Sequence, residues 1–365
     1  MQKALRRPWS MARWRSRKGK PGRHINDPYP KTQCSPSTPE ASHFAISHLM
    51  SDQTRTRKPS SRLWLLAPYA LIAVAIAGLA TGWVVERQRI VVELQATAST
   101  LRAQGYQVQM SEPQVRGFPF RMRLSVEQFH VSAPSGWAIR ADGLTGEANI
   151  YALGHWVLNA PAGLVITRPV GGDLMVRGQT IRASLAALEA PVWRIAVEGV
   201  SLSLAPGPGA APFSLKSADR LEIYTRQSPS IPNAGEALIR LDGGLATPGT
   251  PLGAVTGAHR LNAGIALRMR RFDQYKGGSW PGAWLHWARA GGKIETDPTQ
   301  PPGPDLRLSS GPGALIFGSD GRPMGSISLR VLDAAGAPAK DLPLSFTGGR
   351  STLGAADIGP APRIF

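Results

Sequence analysis

A chain of 365 residues with 40 glycines and 32 prolines is turn-rich, which argues against a helical bundle. Its only cysteine is Cys34, so residues 63–365 hold no disulfide, no thiolate metal site and no cysteine nucleophile. The formal charge of +18 is uneven: residues 1–62 carry 14 Lys or Arg against 3 Asp or Glu, and the rest of the chain carries only +7. The basic excess therefore belongs to a tail.

Residues 1–62 read as a disordered cytoplasmic tail. WSMARWRSRKGKPGRH is basic, and NDPYPKTQCSPSTPEAS is too poor in apolar surface to fold. Beside a membrane, each such cation gains about 1 kcal/mol from anionic headgroups. A phosphate backbone is the rival partner for the tail, and no nucleic acid is expected. Met50 precedes the compact basic segment SDQTRTRKPSSR, so translation is expected to begin there, with 1–49 an upstream extension.

Leu63 to Val85 holds no charged side chain and is the expected transmembrane helix. At ~1.5 Å per residue it reaches roughly 34 Å, enough for a hydrocarbon core of ~30 Å. Trp64 and Trp83 sit near its ends, where indole rings favour the headgroup level. Pro68 falls in the first turns, where few helical hydrogen bonds are lost. Gly78 and Gly82 form a GxxxG that could let two helices approach. Arg55, Arg57, Lys58 and Arg62 before the span outweigh Glu86, Arg87 and Arg89 after it. The positive-inside rule then puts the N-terminus in the cytoplasm and the rest across the membrane. A signal peptide cleaved at Gly78-Leu79-Ala80 and a buried soluble helix are the rival readings.

Residues 86–105 predict a stalk helix packed on the domain beyond it. Ile90, Leu94, Ala98 and Leu101 recur at helical spacing, and Gly105 suits a left-handed stop. The period then changes to two. Phe120, Met122, Leu124 and Val126 alternate with Arg121, Arg123, Ser125 and Glu127. Similar runs start at Trp137-Ile139-Ala141, Trp156-Leu158, Ile181-Ala183-Leu185, Trp193-Ile195-Val197 and Leu221-Ile223, divided by Gly, Pro and Asp turns. QSPSIPNAG at 227–235 is a candidate break between a first β-rich half, 106–226, and a second, 236–365. In the second, Ala237-Ile239-Leu241 and Ala263-Ile265-Leu267-Met269 continue the pattern. SWPGAWLHWARAGG predicts a helix that starts near Pro281 and ends at Gly291, with Trp280, Trp284 and Trp287 on one sheet-packing face. Gly318-Ser319-Asp320-Gly321 predicts a hairpin whose return strand points Ile327, Leu329 and Val331 inward. The fold class is mainly β: a transmembrane helix, a stalk helix, then a long antiparallel curled sheet or sandwich with one packing helix.

These pieces include Gly117-Phe118-Pro119-Phe120-Arg121, the Trp helix ending in Gly291-Gly292, and Asp320-Gly321-Arg322-Pro323-Met324-Gly325. They also include Leu353-Gly354 and Ile358-Gly359-Pro360-Ala361-Pro362-Arg363. In them the chain resembles domain-of-unknown-function family 2125, a family of Gram-negative envelope proteins. The resemblance implies a single-pass inner-membrane protein with a periplasmic domain; the family has no established activity, so no residue role carries over. A looser likeness to AsmA-type proteins implies a curled sheet with an apolar inner face, used in phospholipid transport or envelope upkeep.

Chemistry-bearing patterns are sparse. His130, His155, His259 and His286 are single and scattered, without metal-ligand spacing. Glu189, Glu198, Asp219 and Glu222 fall at polar positions of alternating strands and read as solvated. No catalytic, cofactor-binding or metal-binding residue is expected, and the chain is not expected to be an enzyme. Arg121 and Arg123 are candidate contacts to lipid headgroups, with Arg268, Arg270 and Arg271 a second basic group. The expected partners are the bilayer and a lipid ligand or an envelope protein. A structural or partner-binding module with a closed core is the alternative.

Overall fold

A computed structural model describes residues 63–364, apart from residues 188, 189, 191, 278, 302, 304 and 334–337. The basic tail with Cys34 and Met50, and Glu189, lie outside the described residues. Span and stalk are one helix, α1 (Leu63–Ala103), and Gly105 follows it with φ 87°. Among the described residues the chain then forms nineteen strands. They are β1 (Gln107–Gln109), β2 (Gln114–Arg116), β3 (Arg121–Ser132), β4 (Ala138–Asn149), β5 (His155–Asn159), β6 (Leu164–Arg168) and β7 (Gly172–Arg177). Next are β8 (Thr180–Ala186), β9 (Arg194–Pro206), β10 (Leu215–Gln227), β11 (Gly235–Ala246), a short α2 (Pro251–Thr256) and β12 (Leu261–Met269). Then come α3 (Trp280–Arg289), β13 (Ile294–Asp297), β14 (Leu306–Phe317) and β15 (Pro323–Leu332). Last are β16 (Pro338–Asp341), β17 (Leu344–Thr347), β18 (Arg350–Leu353) and β19 (Ala356–Pro360).

Pairing follows chain order almost throughout, as the short turns require. β5 and β6 both pair with β4, and β8 and β7 both pair with β9, so each couple is one long strand interrupted midway. The segment Gln227–Gly235 is a hairpin connection: β10 and β11 pair from Leu215–Ala246 down to Gln227–Gly235. Among the described residues the one parallel pairing joins β12 to the start of β14, while β13 pairs with both at their other ends.

The interruptions line up. Gln128 in β3 has φ 52° and Ser201 in β9 has φ 51°. Residues 160–163 separate β5 from β6, and residues 178–179 separate β7 from β8. In β11 the register to β12 shifts between Leu241 and Gly244. Bulges bend and re-aim strands, so a row of them creases the whole sheet. Gly243 shows why one position must be glycine. Its φ is 62°, and a Cβ there would lie 2.1 Å from Asp219 Oδ2. Its amide instead donates to Asn262 Oδ1 at 2.8 Å.

The sheet also curls. About nine strand-to-strand steps separate β3 from β15, and at roughly 20–25° of twist per step the strand direction turns through about half a revolution. The turn between β3 and β4 thereby reaches the C-terminal segment: Trp137 Nε1 donates to the Arg363 carbonyl at 3.3 Å. The Ile364 amide donates to the Gly321 carbonyl at 3.1 Å, and Trp280 Nε1 lies 3.4 Å from the Ile364 carbonyl. Burial pushes the Tyr275 phenol up, with Tyr106, just past α1, close enough to add to the effect.

Three buried clusters form on the apolar face. Trp83 packs with Val115 and Met122, and Ile90, Val91, Leu124 and Trp156 lie against them, so the stalk docks where the sheet starts. Above the crease, Leu174, Val176, Leu202, Ala218, Leu241, Leu261 and Ala263 form the second, capped by Leu252 of α2. The third joins Trp284 and Trp287 of α3 to Leu315, Phe317, Ile327, Leu329 and Val331. Ser279 caps α3 by accepting from the Gly282 amide at 3.2 Å, with Pro281 in the first turn as expected. Trp287 is fully buried, and Gly292 packs flat against it: a Cβ there would lie 2.2 Å from the indole.

Alternation misplaced four large side chains. Phe120, Trp137, Ile139 and Trp193 were expected inward and are exposed. Phe120, Trp137 and Trp193 lie outside the strands, where the period of two no longer applies, and in β4 it is Ala138 and Ala141 that turn in.

Candidate functional site

Register decides what the sheet offers to a ligand. One row of cross-strand neighbours runs Leu124, Gly146, Leu158, Ala183, Val197, Ile223, Ile239 and Ile265, unbroken from β3 to β12. Below it runs Trp156, Leu185 and Ile195, and farther along that side Ala237 and Leu267. Apart from Gly146, which is buried, every side chain in these rows is aliphatic or aromatic and half-buried. Leu158, Ala183, Leu185, Ile195, Val197, Ile223, Ile239, Ile265 and Leu267 belong to none of the three buried clusters. α1 covers the apolar face at the β3 end, α3 covers it at the β14 end, and α2 caps it above the crease. What remains between them is a strip of half-buried aliphatic side chains, the trough. From Leu158 to Ile265 its five inter-strand steps of ~4.8 Å span roughly 24 Å, more than one acyl chain, which crosses about half of a ~30 Å hydrocarbon core.

The reverse face is charged. There the row reads Asn159, Arg182, Glu198, Glu222 and Arg240. Arg182 meets Glu198 at 2.5 Å, Arg220 also bonds Glu198, and Arg220 Nε meets Glu222 at 3.0 Å. Burial pushes the Glu198 carboxyl up, but hydrogen bonds from Arg220 and Arg182 outweigh it and hold the group below the usual range. Glu198 and Glu222 are therefore mostly buried members of an ion-pair network, a correction to their reading as solvated. Burial also pushes Tyr224 up to about 12, with the Glu222 carboxylate adding to it. Arg226, Glu236, Arg268 and Asp297 continue the network, and Arg270 pairs with Glu295 at 2.7 Å. Arg268 and Arg270 of the second basic group are thus spent inside the protein, and Arg271 bonds the Ala290 carbonyl.

The anchor residues fall as follows. Leu63 and Trp64 open α1, and Pro68 lies in its second turn. From Leu66 through Gly82 almost every side chain is exposed, so the protein leaves this stretch uncovered. α1 is a helix long and apolar enough to cross a membrane. A Cβ added at Gly78 or Gly82 would meet nothing within 4 Å. Val85 is exposed. Only 8% of Trp83 is exposed, and it faces the sheet. Its Nε1 donates to the Arg121 carbonyl at 3.2 Å, and Phe118 stacks edge-on at 5.9 Å. Arg123 is paired with Glu147 at 2.7 Å, which takes away a free cation. Arg121 is exposed at the foot of β3, in no ion pair among the described residues.

Among the described residues no group of three or more His, Cys, Asp or Glu stands close enough to share a metal ion. His155 Nε2 lies 2.9 Å from Ser184 Oγ, and His286 Nδ1 lies 2.7 Å from the Gln274 carbonyl. Sequence reasoning found the apolar runs and left an open trough and a closed core as alternatives; what it lacked is register, which a single strand does not carry.

A family model described as an uncharacterized protein conserved in bacteria (DUF2125) matches residues 83–335, more than half of the chain. The match begins at Trp83, the residue where α1 first packs into the sheet. No curated protein and no solved structure matches the chain.

Proposed function

The chain belongs to the DUF2125 family of uncharacterized bacterial proteins, and we propose that it is a non-catalytic envelope protein that holds or passes a lipid chain along its apolar trough. In this reading α1 anchors it in the inner membrane with the N-terminus cytoplasmic and the sheet periplasmic, as the flanking charges suggest. The observation that carries the reading is the uncovered row from Leu158 to Ile265. A half-buried aliphatic row of this length still leaves apolar surface in water, at about 25 cal/mol per Å2. Large exposed apolar patches mark binding sites. Each methylene laid into the trough would gain ~0.8 kcal/mol. The ion-paired reverse face needs no covering partner, which leaves the trough as the face that a ligand would occupy.

The test is native mass spectrometry of the full chain extracted in mild detergent. Phospholipid should remain bound to the wild type and be depleted in the double variant Ile223→Asn, Ile239→Asn. A wild type that carries no lipid, or a variant that carries as much, overturns the proposal.

A further inference from the structure

Four large aromatic side chains stand out from one end of the sheet. Phe118 is 50% exposed and Phe120 62%, both between β2 and β3; Tyr151 is 79% exposed, between β4 and β5; Trp193 is 51% exposed, just before β9. Pairing gathers them on one edge. The Ile150 amide donates to the Phe120 carbonyl at 3.1 Å, which joins the first two turns. His155 lies opposite Ala186, and Ala186 opposite Arg194, which brings Trp193 to the same edge. None of the four is a member of a buried cluster, although Phe118 stands edge-on against Trp83.

This edge is continuous with the place where α1 leaves its uncovered stretch. Trp83, the first helix residue buried by the sheet, touches Phe118 and bonds the backbone of Arg121. Residues 63–82 at ~1.5 Å per residue reach ~30 Å, the thickness of a hydrocarbon core. The aromatic edge thus lies at the level where such a span would end. Aromatic rings favour that headgroup level. Exposed Arg121 and Arg194 on the same edge suit anionic headgroups. The lowest row of the trough, Trp156, Leu185 and Ile195, lies directly above these turns.

We propose that Phe118, Phe120, Tyr151 and Trp193 form a foot that inserts into the interface of the bilayer crossed by α1, and so holds the domain with the trough's lower end at the membrane surface. The docking rests on α1 as a membrane span; its use as a lipid entry rests on the function proposed above. The occupant is the lipid surface itself, because the edge is tethered there by the covalent chain through Trp83.

The test uses the full chain with Cys34→Ser, carrying single nitroxide labels at Phe120→Cys, Tyr151→Cys or Trp193→Cys. It is reconstituted in vesicles of phosphatidylethanolamine and phosphatidylglycerol. Ile76→Cys in α1 is the deep comparator. Val170→Cys, 67% exposed in the turn at the opposite strand ends, is the aqueous one. Power saturation with oxygen and with a water-soluble nickel complex reads depth. The three foot labels should be reached by oxygen and shielded from nickel, as at Ile76, while Val170 shows the reverse. Foot labels as open to nickel as Val170 overturn the proposal. Deep foot labels on a protein that carries no lipid would uphold the foot and sink only the lipid-holding reading.

Discussion

Ile239→Asn compared with Val331→Asn separates an open trough from a sealed core. Both residues point to the apolar face: Ile239 lies between Ile223 and Ile265, and Val331 lies between Leu308 and Lys340. Val331 is 3% exposed and packs within the cluster beneath α3. Replacing it loses most of the ~1.5–3 kcal/mol of a buried aliphatic side chain. It also strands an amide without partners, for a further ~1–3 kcal/mol, so the cost is about 3–5 kcal/mol. Ile239 is half-buried and lies in no cluster, so its apolar loss is about half as large, and the new amide reaches water. The expected cost is ~1–1.5 kcal/mol. Urea unfolding of the detergent-solubilised full chain, followed by tryptophan fluorescence, reads both. A gap of ~2–3 kcal/mol supports the open trough. Equal destabilisation would show that Ile239 is core, and the argument for a ligand face would fall with it.

Three more expectations follow from the packing and the ion pairs. Glu198 has a depressed carboxyl, so its contribution is complete above the unfolded value of ~4.3 and disappears as pH falls through the lower folded value. Glu198→Gln should therefore cost stability at about pH 7, and the cost should shrink as pH is lowered beneath ~4.3; a difference in unfolding midpoint that stays constant as the pH falls would refute the pairing. Trp287→Ala should cost ~3–5 kcal/mol because the side chain is fully buried, and Gly292→Ala should also destabilise, through its clash with that indole, in the same unfolding assay. Trp83→Ala removes the residue that docks α1 on the sheet, at ~3–5 kcal/mol of docking energy. Proteolysis between Gln104 and Pro119 should then accelerate, with the far strands still protected, and an unchanged cleavage pattern would contradict the docking.

Local signals in the sequence were faithful where one segment determines its own structure. Gly105 ends α1 with a positive φ, Ser279 and Pro281 begin α3, and Ile327, Leu329 and Val331 turn inward after the Asp320-Gly321 turn. Alternation failed at turns, where Phe120, Trp137 and Trp193 had been counted with the strands they adjoin. The crease was invisible because Gln128 and Ser201 carry no residue-type signature for a left-handed bulge. The carboxylates were misread for a related reason. Register puts Arg182 and Arg220 beside Glu198, and register joins segments far apart in sequence. The Gln227–Gly235 stretch has the composition of a linker and the geometry of a hairpin, and Pro, Ser and Gly serve both.

An antiparallel sheet with one apolar side ordinarily hides that side against a second sheet. Here the same sheet supplies part of its own cover. The crease folds the upper strand halves so that Leu174, Leu202 and Leu261 close on one another beneath Leu252. Twist carries the far end round until the C-terminal segment reaches Trp137. Neither device covers the straight lower halves of β5 and β8 to β12, because the two long helices are committed to the ends: α1 by Trp83 and α3 by Trp284 and Trp287. Among the described residues, the half-buried row therefore follows from where the helices are.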